Sequence, residues 1–93
     1  MDIRKLVGRN LRRLRLARGI SQEELAFQAG IDRTYMSGLE RGVRNPTVLV
    51  LDRLAQALNV TIGDIVAAAL ERGTPPRNLP RGRRSLKRLA KEN

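Results

Sequence analysis

The stretch that decides the fold is GISQEELAFQAGIDRTYMSGLERG, residues 19–42. Ser21 has the profile of a helix N-cap, and Glu24 three residues on completes Ser-x-x-Glu, the pattern of a capping box. The spacing predicts a short helix over about 22–29 that buries Leu25, Ala26 and Ala29 and is broken by Gly30. Asp32 is the next N-cap. It opens a third helix to about Arg41, with Met36, Leu39 and part of Tyr35 inward and Gly42 as its stop.

Outward from this core, Ile3, Val7, Leu11 and Leu14 recur at helical spacing and predict a first helix from Ile3 to Arg18, ended by Gly19. Its other faces carry Arg4, Lys5, Arg9, Arg12, Arg13, Arg15 and Arg18. After a loop through Pro46, Thr47 caps a fourth helix over about 48–58 that buries Leu51, Leu54, Ala55 and Leu58, and Asn59 ends it. Thr61 caps a fifth helix, expected from Ile62 to about Arg72. No stretch alternates apolar and polar residues as a half-buried strand does, so the chain reads as all-α. Beyond Gly73 the composition shifts to Pro75, Pro76, Pro80 and Gly82. The expected division is a helical domain over 1–72 and a basic tail over 73–93, flexible except for a marginal helical turn or two near Leu86 and Leu89.

Composition narrows the function. With 93 residues there is room for one small domain, and 41% hydrophobic residues suffice for a modest core. The chain has no Cys and no His, which removes disulfides, the usual zinc sites, Cys nucleophiles and His acid–base chemistry; neither metal nor cofactor is expected. The longest apolar run, residues 65–70, is far short of the ~20 residues a membrane span needs, and no signal-peptide stretch follows the N-terminus. A cytoplasmic protein without a membrane partner is expected. Nineteen Lys and Arg against nine Asp and Glu leave a net charge of +10, which favours a polyanionic partner. Residues 73–93 hold seven of those cations and one acid. Phe27 and Tyr35 are the only aromatics, so there is no stacking platform for single strands and duplex DNA is favoured. A helix of ~10–12 Å diameter fits the major groove, ~12 Å wide, with its N-terminal residues at the base edges.

At these residues a resemblance is plain. GISQEELA (19–26), AGIDRTYMSGLERG (29–42), RNPT (44–47) and LDRLAQALNV (51–60) resemble the Cro/CI-type (XRE) helix-turn-helix family, over about residues 5–67. The resemblance implies a five-helix bundle of the lambda-repressor-like DNA-binding type with its recognition helix at 32–41. It places Arg33 and Thr34 where base edges are read, with Ser37 next along the exposed face. Arg33 suits bidentate bonding to guanine O6 and N7, with a plain phosphate contact as the alternative. Gln22 matches a phosphate-bonding position, the alternative being ordinary helix-start polarity. Arg41, Arg44 and Asn45 match a loop that tracks the DNA backbone, and Tyr35 is open between ring packing and a phosphate bond. Arg15 and Glu40 match an ion pair between the first and third helices. Gly38 departs from relatives that carry a base-reaching side chain there. This thins direct readout and hints at a close backbone approach.

The resemblance also implies a homodimer on an inverted repeat, with half-sites about one helical turn (~34 Å) apart. Leu49, Val66, Ala69 and Leu70 form the candidate dimer patch; alternatively, Val66 and Leu70 complete the monomer core. The function expected is that of a small single-domain transcriptional regulator, a repressor first, with a restriction–modification controller protein as a subtype. The competing reading is the antitoxin of a toxin–antitoxin pair, contacting a protein through the basic tail. An enzyme is not expected: Glu23 and Glu24 are adjacent and point about 100° apart on a helix, so they make no acid–base pair. About 20 residues beyond the bundle leave no room for a small-molecule effector pocket.

Overall fold

The computed structural model describes residues 2–68, in which five helices follow one another: α1 (Ile3–Arg18), α2 (Gln22–Ala29), α3 (Arg33–Arg41), α4 (Val48–Leu58) and α5 (Ile62–Val66). No strand occurs among the described residues. The starts of α2 to α5 are capped by the side chains named for them, and α1 starts on a cap that was not named, Asp2, which accepts from Arg4 N. Ser21 Oγ accepts from Glu24 N (3.0 Å), Asp32 Oδ2 from Thr34 N (2.8 Å) and Tyr35 N (3.2 Å), and Thr47 Oγ1 from Val50 N (3.1 Å). Such caps satisfy backbone donors that a helix leaves unpaired. The reciprocal half of the capping box at α2 is absent, because Glu24 accepts from Gln28 Nε2 (2.9 Å) one turn on instead. A complete box stands at α5, between Thr61 and Asp64. Gly19, Gly30 and Gly42 all adopt left-handed backbone at the ends of the first three helices, and Asn59 does so at the end of α4.

One core joins all five helices: Val7 and Leu11 of α1, Leu25, Ala26 and Ala29 of α2, Met36 and Leu39 of α3, Leu54, Ala55 and Leu58 of α4, and Ile65 of α5. Two expectations about α1 need correcting. Ile3 is 56% exposed, because it lies on the first turn, where no neighbouring element covers it. Leu6 and Asn10, which the periodicity passed over, are buried at 2% and 1%. Leu14 and Leu51 are half-buried at the margin of the core.

The fifth helix is also shorter than its sequence suggests, ending at Val66 instead of near Arg72. Asn10 Nδ2 donates to the carbonyls of Ile65 and Ala67, both at 2.8 Å, and so latches the end of α5 to α1. Ala67 is then extended, at φ −62° and ψ 139°. Residues 69–93, including Ala69, Leu70, the expected domain boundary near 73 and the basic tail, lie outside the described residues.

α1 packs most extensively on α3, and the reason is glycine. A Cβ on Gly8 would stand 2.5 Å from the Leu39 carbonyl oxygen and 2.6 Å from that of Glu40. The backbones of the two helices therefore meet directly, and α1 fixes the last turn of α3.

Candidate nucleic-acid interface

The turn between α2 and α3 is built by Gly30, at φ 72° and ψ 33°, where a side chain would be strained. Ile31 N reaches back to Ala26 O (2.9 Å) and closes the end of α2. Asp32 caps α3 two residues later, so the chain reverses within a few residues and the two helices stay in contact. Met36 and Leu39 anchor the inner face of α3. On its outer side Arg33 and Thr34 are exposed and Ser37 is half-buried. These are the three positions expected to meet bases.

Arg41, Arg44 and Asn45 are exposed at and beyond the end of α3. Arg44 does not simply project from its loop. Its guanidinium carbon lies 5.9 Å from the centroid of the Tyr35 ring, within range of a cation–π attraction. Gly38 makes room for it, since a Cβ there would stand 2.6 Å from Arg44 Cγ. What approaches Gly38 closely is thus a side chain; the backbone approach that the sequence hinted at occurs at Gly8. Tyr35 is half-buried, its ring under Arg44.

Behind this surface, Arg15 Nε and Nη2 donate to Glu40 Oε2 (2.6 Å) and Oε1 (3.1 Å), a bidentate pair. The side chains are only 9% and 3% exposed. Arg15 Nη1 also donates to Ile20 O (2.9 Å), which ties the α1–α2 turn to the pair. The hydrogen bonds to Glu40 raise the pKa of Arg15, and burial opposes this only in part. Gln22, expected at a phosphate, donates from Nε2 to Glu40 Oε1 (3.0 Å). That bond, the Asn10 latch and the Gly8 contact had no signal in spacing alone. A polar residue inside an apolar stripe, as at Asn10, is the one clue the sequence offered.

Comparison with known proteins agrees with this geometry. A family model described as helix-turn-helix matches residues 11–65. The chain belongs to the Cro/CI-type (XRE) helix-turn-helix family. It is 53% identical over 66 residues to an uncharacterised HTH-type transcriptional regulator, y4dJ, of Sinorhizobium fredii, covering 71% of this chain and 86% of the relative. It is 39% identical to the control protein C.BamHI of Bacillus amyloliquefaciens, covering 70% of this chain and 82% of that one. Among solved structures, the restriction-modification controller protein C.AhdI from Aeromonas hydrophila superposes with a TM-score of 0.66 at 44% identity, over 67% of this chain and 94% of that one. The hypothetical transcription factor NHTF from Neisseria does so with 0.72 at 39% identity, over 76% and 82%. This helix-turn-helix protein is a DNA-binding regulator by membership. The names its relatives carry lend the antitoxin reading no support. Among the described residues no helix is long and apolar enough to cross a membrane.

Proposed function

We propose that this chain is a small regulator that reads duplex DNA by seating α3 in the major groove, with Arg33, Thr34 and Ser37 toward the bases. The observation that carries the reading is the exposed opening turn of α3, flanked by the cations Arg33, Arg41 and Arg44 and backed by a rigid α1–α3 contact. Arg33 supplies base discrimination, worth ~1–3 kcal/mol for a good bidentate pair. Gln22, Tyr35, Arg41, Arg44 and Asn45 hold the phosphate backbone and set register. The similarity to controller proteins supports a controller of restriction–modification genes as the specific role.

A homodimer on an inverted repeat follows from the same reading, because one short helix spans only a few base pairs. Leu49 and Val66 are 59% and 37% exposed, apolar surface of the kind an interface covers. The basic tail adds phosphate contacts in this scheme, or serves as a dock for a protein partner.

Selection from a random duplex library at about 150 mM salt, a concentration at which specific and non-specific binding are separable, tests the proposal. Enrichment of an inverted repeat with half-sites about 10 base pairs apart is expected. Binding without enrichment would sink sequence reading, and sedimentation showing only monomer with and without that duplex would sink the dimer.

A further inference from the structure

The Gln22 side chain sits on the first turn of α2, half-buried, and its amide is already engaged. Its partner is a carboxylate, which at neutral pH only accepts hydrogen bonds. Glu40 Oε1 therefore selects the NH2 end of the Gln22 amide and turns the carbonyl end away. One Nε2 hydrogen is used in this bond and the second is left for another acceptor. Glu40 itself is held. Both its oxygens accept from the Arg15 guanidinium, and Arg15 is fixed in turn by the Ile20 carbonyl. This anchor is nearly dry, so it does not reorganise as a solvated pair would. α1 through Arg15 and α2 through Gln22 meet on this one carboxylate of the last turn of α3, and the α1–α2 turn joins them through the bond of Arg15 to the Ile20 carbonyl.

We infer that Glu40, clamped by Arg15, is a positioning residue for DNA binding: it orients the Gln22 amide so that its second N–H meets a backbone phosphate. The inference rests on the reading of Gln22 as a phosphate donor. Its consequence is a mechanical link between the backbone contact on α2 and the helix that reads bases. A free glutamine at the same place loses rotamer freedom on binding, whereas this one is ordered before the DNA arrives. Displacement of α3 moves Glu40, and with it the donor that registers α2 on the duplex.

The test compares Gln22→Ala, the paired replacement of Arg15→Met with Glu40→Met, and the triple variant, all on the duplex recovered by library selection. The paired replacement removes the carboxylate without stranding a buried charge, and exchanges of this kind are often neutral or stabilising. A thermal melt confirms its fold. Gln22→Ala is expected to weaken binding about tenfold, or about 1.4 kcal/mol. It does so without changing the slope of log K against log salt, since a neutral donor releases no counterion. The paired variant loses the same factor, and adding Gln22→Ala to it costs nothing more. Equal losses from Gln22→Ala in both backgrounds would leave the phosphate contact standing and remove Glu40 from it. No loss from Gln22→Ala in the natural chain overturns the phosphate reading and this inference together. Should the paired variant fail to fold, proton exchange at the Gln22 side-chain amide of the natural chain decides. One protected Nε2 proton in the free protein and two on DNA are expected; two unprotected protons in the free protein overturn the inference.

Discussion

Replacing Gly8 with alanine sets two physical effects against each other. Helix propensity favours alanine over glycine by about 1 kcal/mol inside a helix. Packing opposes it. The new Cβ would stand 2.5 Å from the Leu39 carbonyl oxygen, 2.6 Å from the Glu40 oxygen and 2.9 Å from the Glu40 carbonyl carbon. Carbon rests at about 3.3–3.6 Å from such an oxygen, so α1 and α3 must part by roughly 0.8 Å or more. All three neighbours are backbone atoms of a helix and have no rotamer with which to yield. Overpacking costs typically about 1–3 kcal/mol, and rigid neighbours put this site at the upper end or above. Sterics therefore win, with a net loss of about 2 kcal/mol. At about 4–8 °C per kcal/mol for a domain this small, the melting temperature should fall by about 8–16 °C. Thermal unfolding followed by circular dichroism measures it. An unchanged or raised melting temperature would refute the direct backbone contact between α1 and α3. Gly63→Ala is the control: a Cβ there meets only Thr61 Oγ1, at 3.4 Å, so the propensity gain survives and the melting temperature should not fall.

Three further outcomes follow from the same structure. Arg15→Ala leaves Glu40 buried without its partner and should cost about 3–5 kcal/mol, whereas Arg12→Ala, at an exposed position, should change stability by less than about 0.5 kcal/mol; equal shifts in denaturant midpoint remove the pair from the account. Asn10→Ala strands the Ile65 and Ala67 carbonyls and opens a buried site, so a loss of about 2 kcal/mol or more is expected, with faster amide exchange in α5 than in α2; uniform exchange would contradict the latch. Hydrogen bonds with Thr61, the backbone one foremost, hold the Asp64 carboxyl below its ordinary pKa. A depressed folded-state value means the stabilisation is present above the unfolded pKa, about 4, and is lost as pH falls through the folded one. Melting temperatures measured from about pH 6 to about pH 3 should fall less steeply in Asp64→Asn than in the natural chain, and parallel slopes would show that the box has no share in acid stability.

Local rules made the order of the helices, the caps of α2 to α5 and most of the inner faces of α2, α3 and α4 legible. Ser21, Asp32, Thr47 and Thr61 cap where spacing placed them, because a cap bonds a donor two or three residues away and needs nothing distant. The glycine stops and the Leu25, Met36, Leu39, Leu54 and Leu58 core followed for the same reason: chain geometry sets which residues share a helix face. The family resemblance added the positions proposed to face DNA and, behind them, the Arg15–Glu40 pair, which the structure joins.

Distant partners decided the rest. The fifth helix stops at Val66, and its end is latched by Asn10, 55 residues before Ile65 along the chain. Asn10 lay off the stripe that spacing drew on α1, yet it is buried where it bonds to the end of α5. Gly8 reads as a weak point of α1 in isolation, yet it is where α3 comes closest. Spacing gave no sign that Gln22 would be engaged inside the protein, where α3 brings Glu40 to it. In each case a hydrogen bond or a close approach couples residues far apart in sequence. Its energy depends on ångström placement, which residue spacing does not encode and only the assembled bundle supplies.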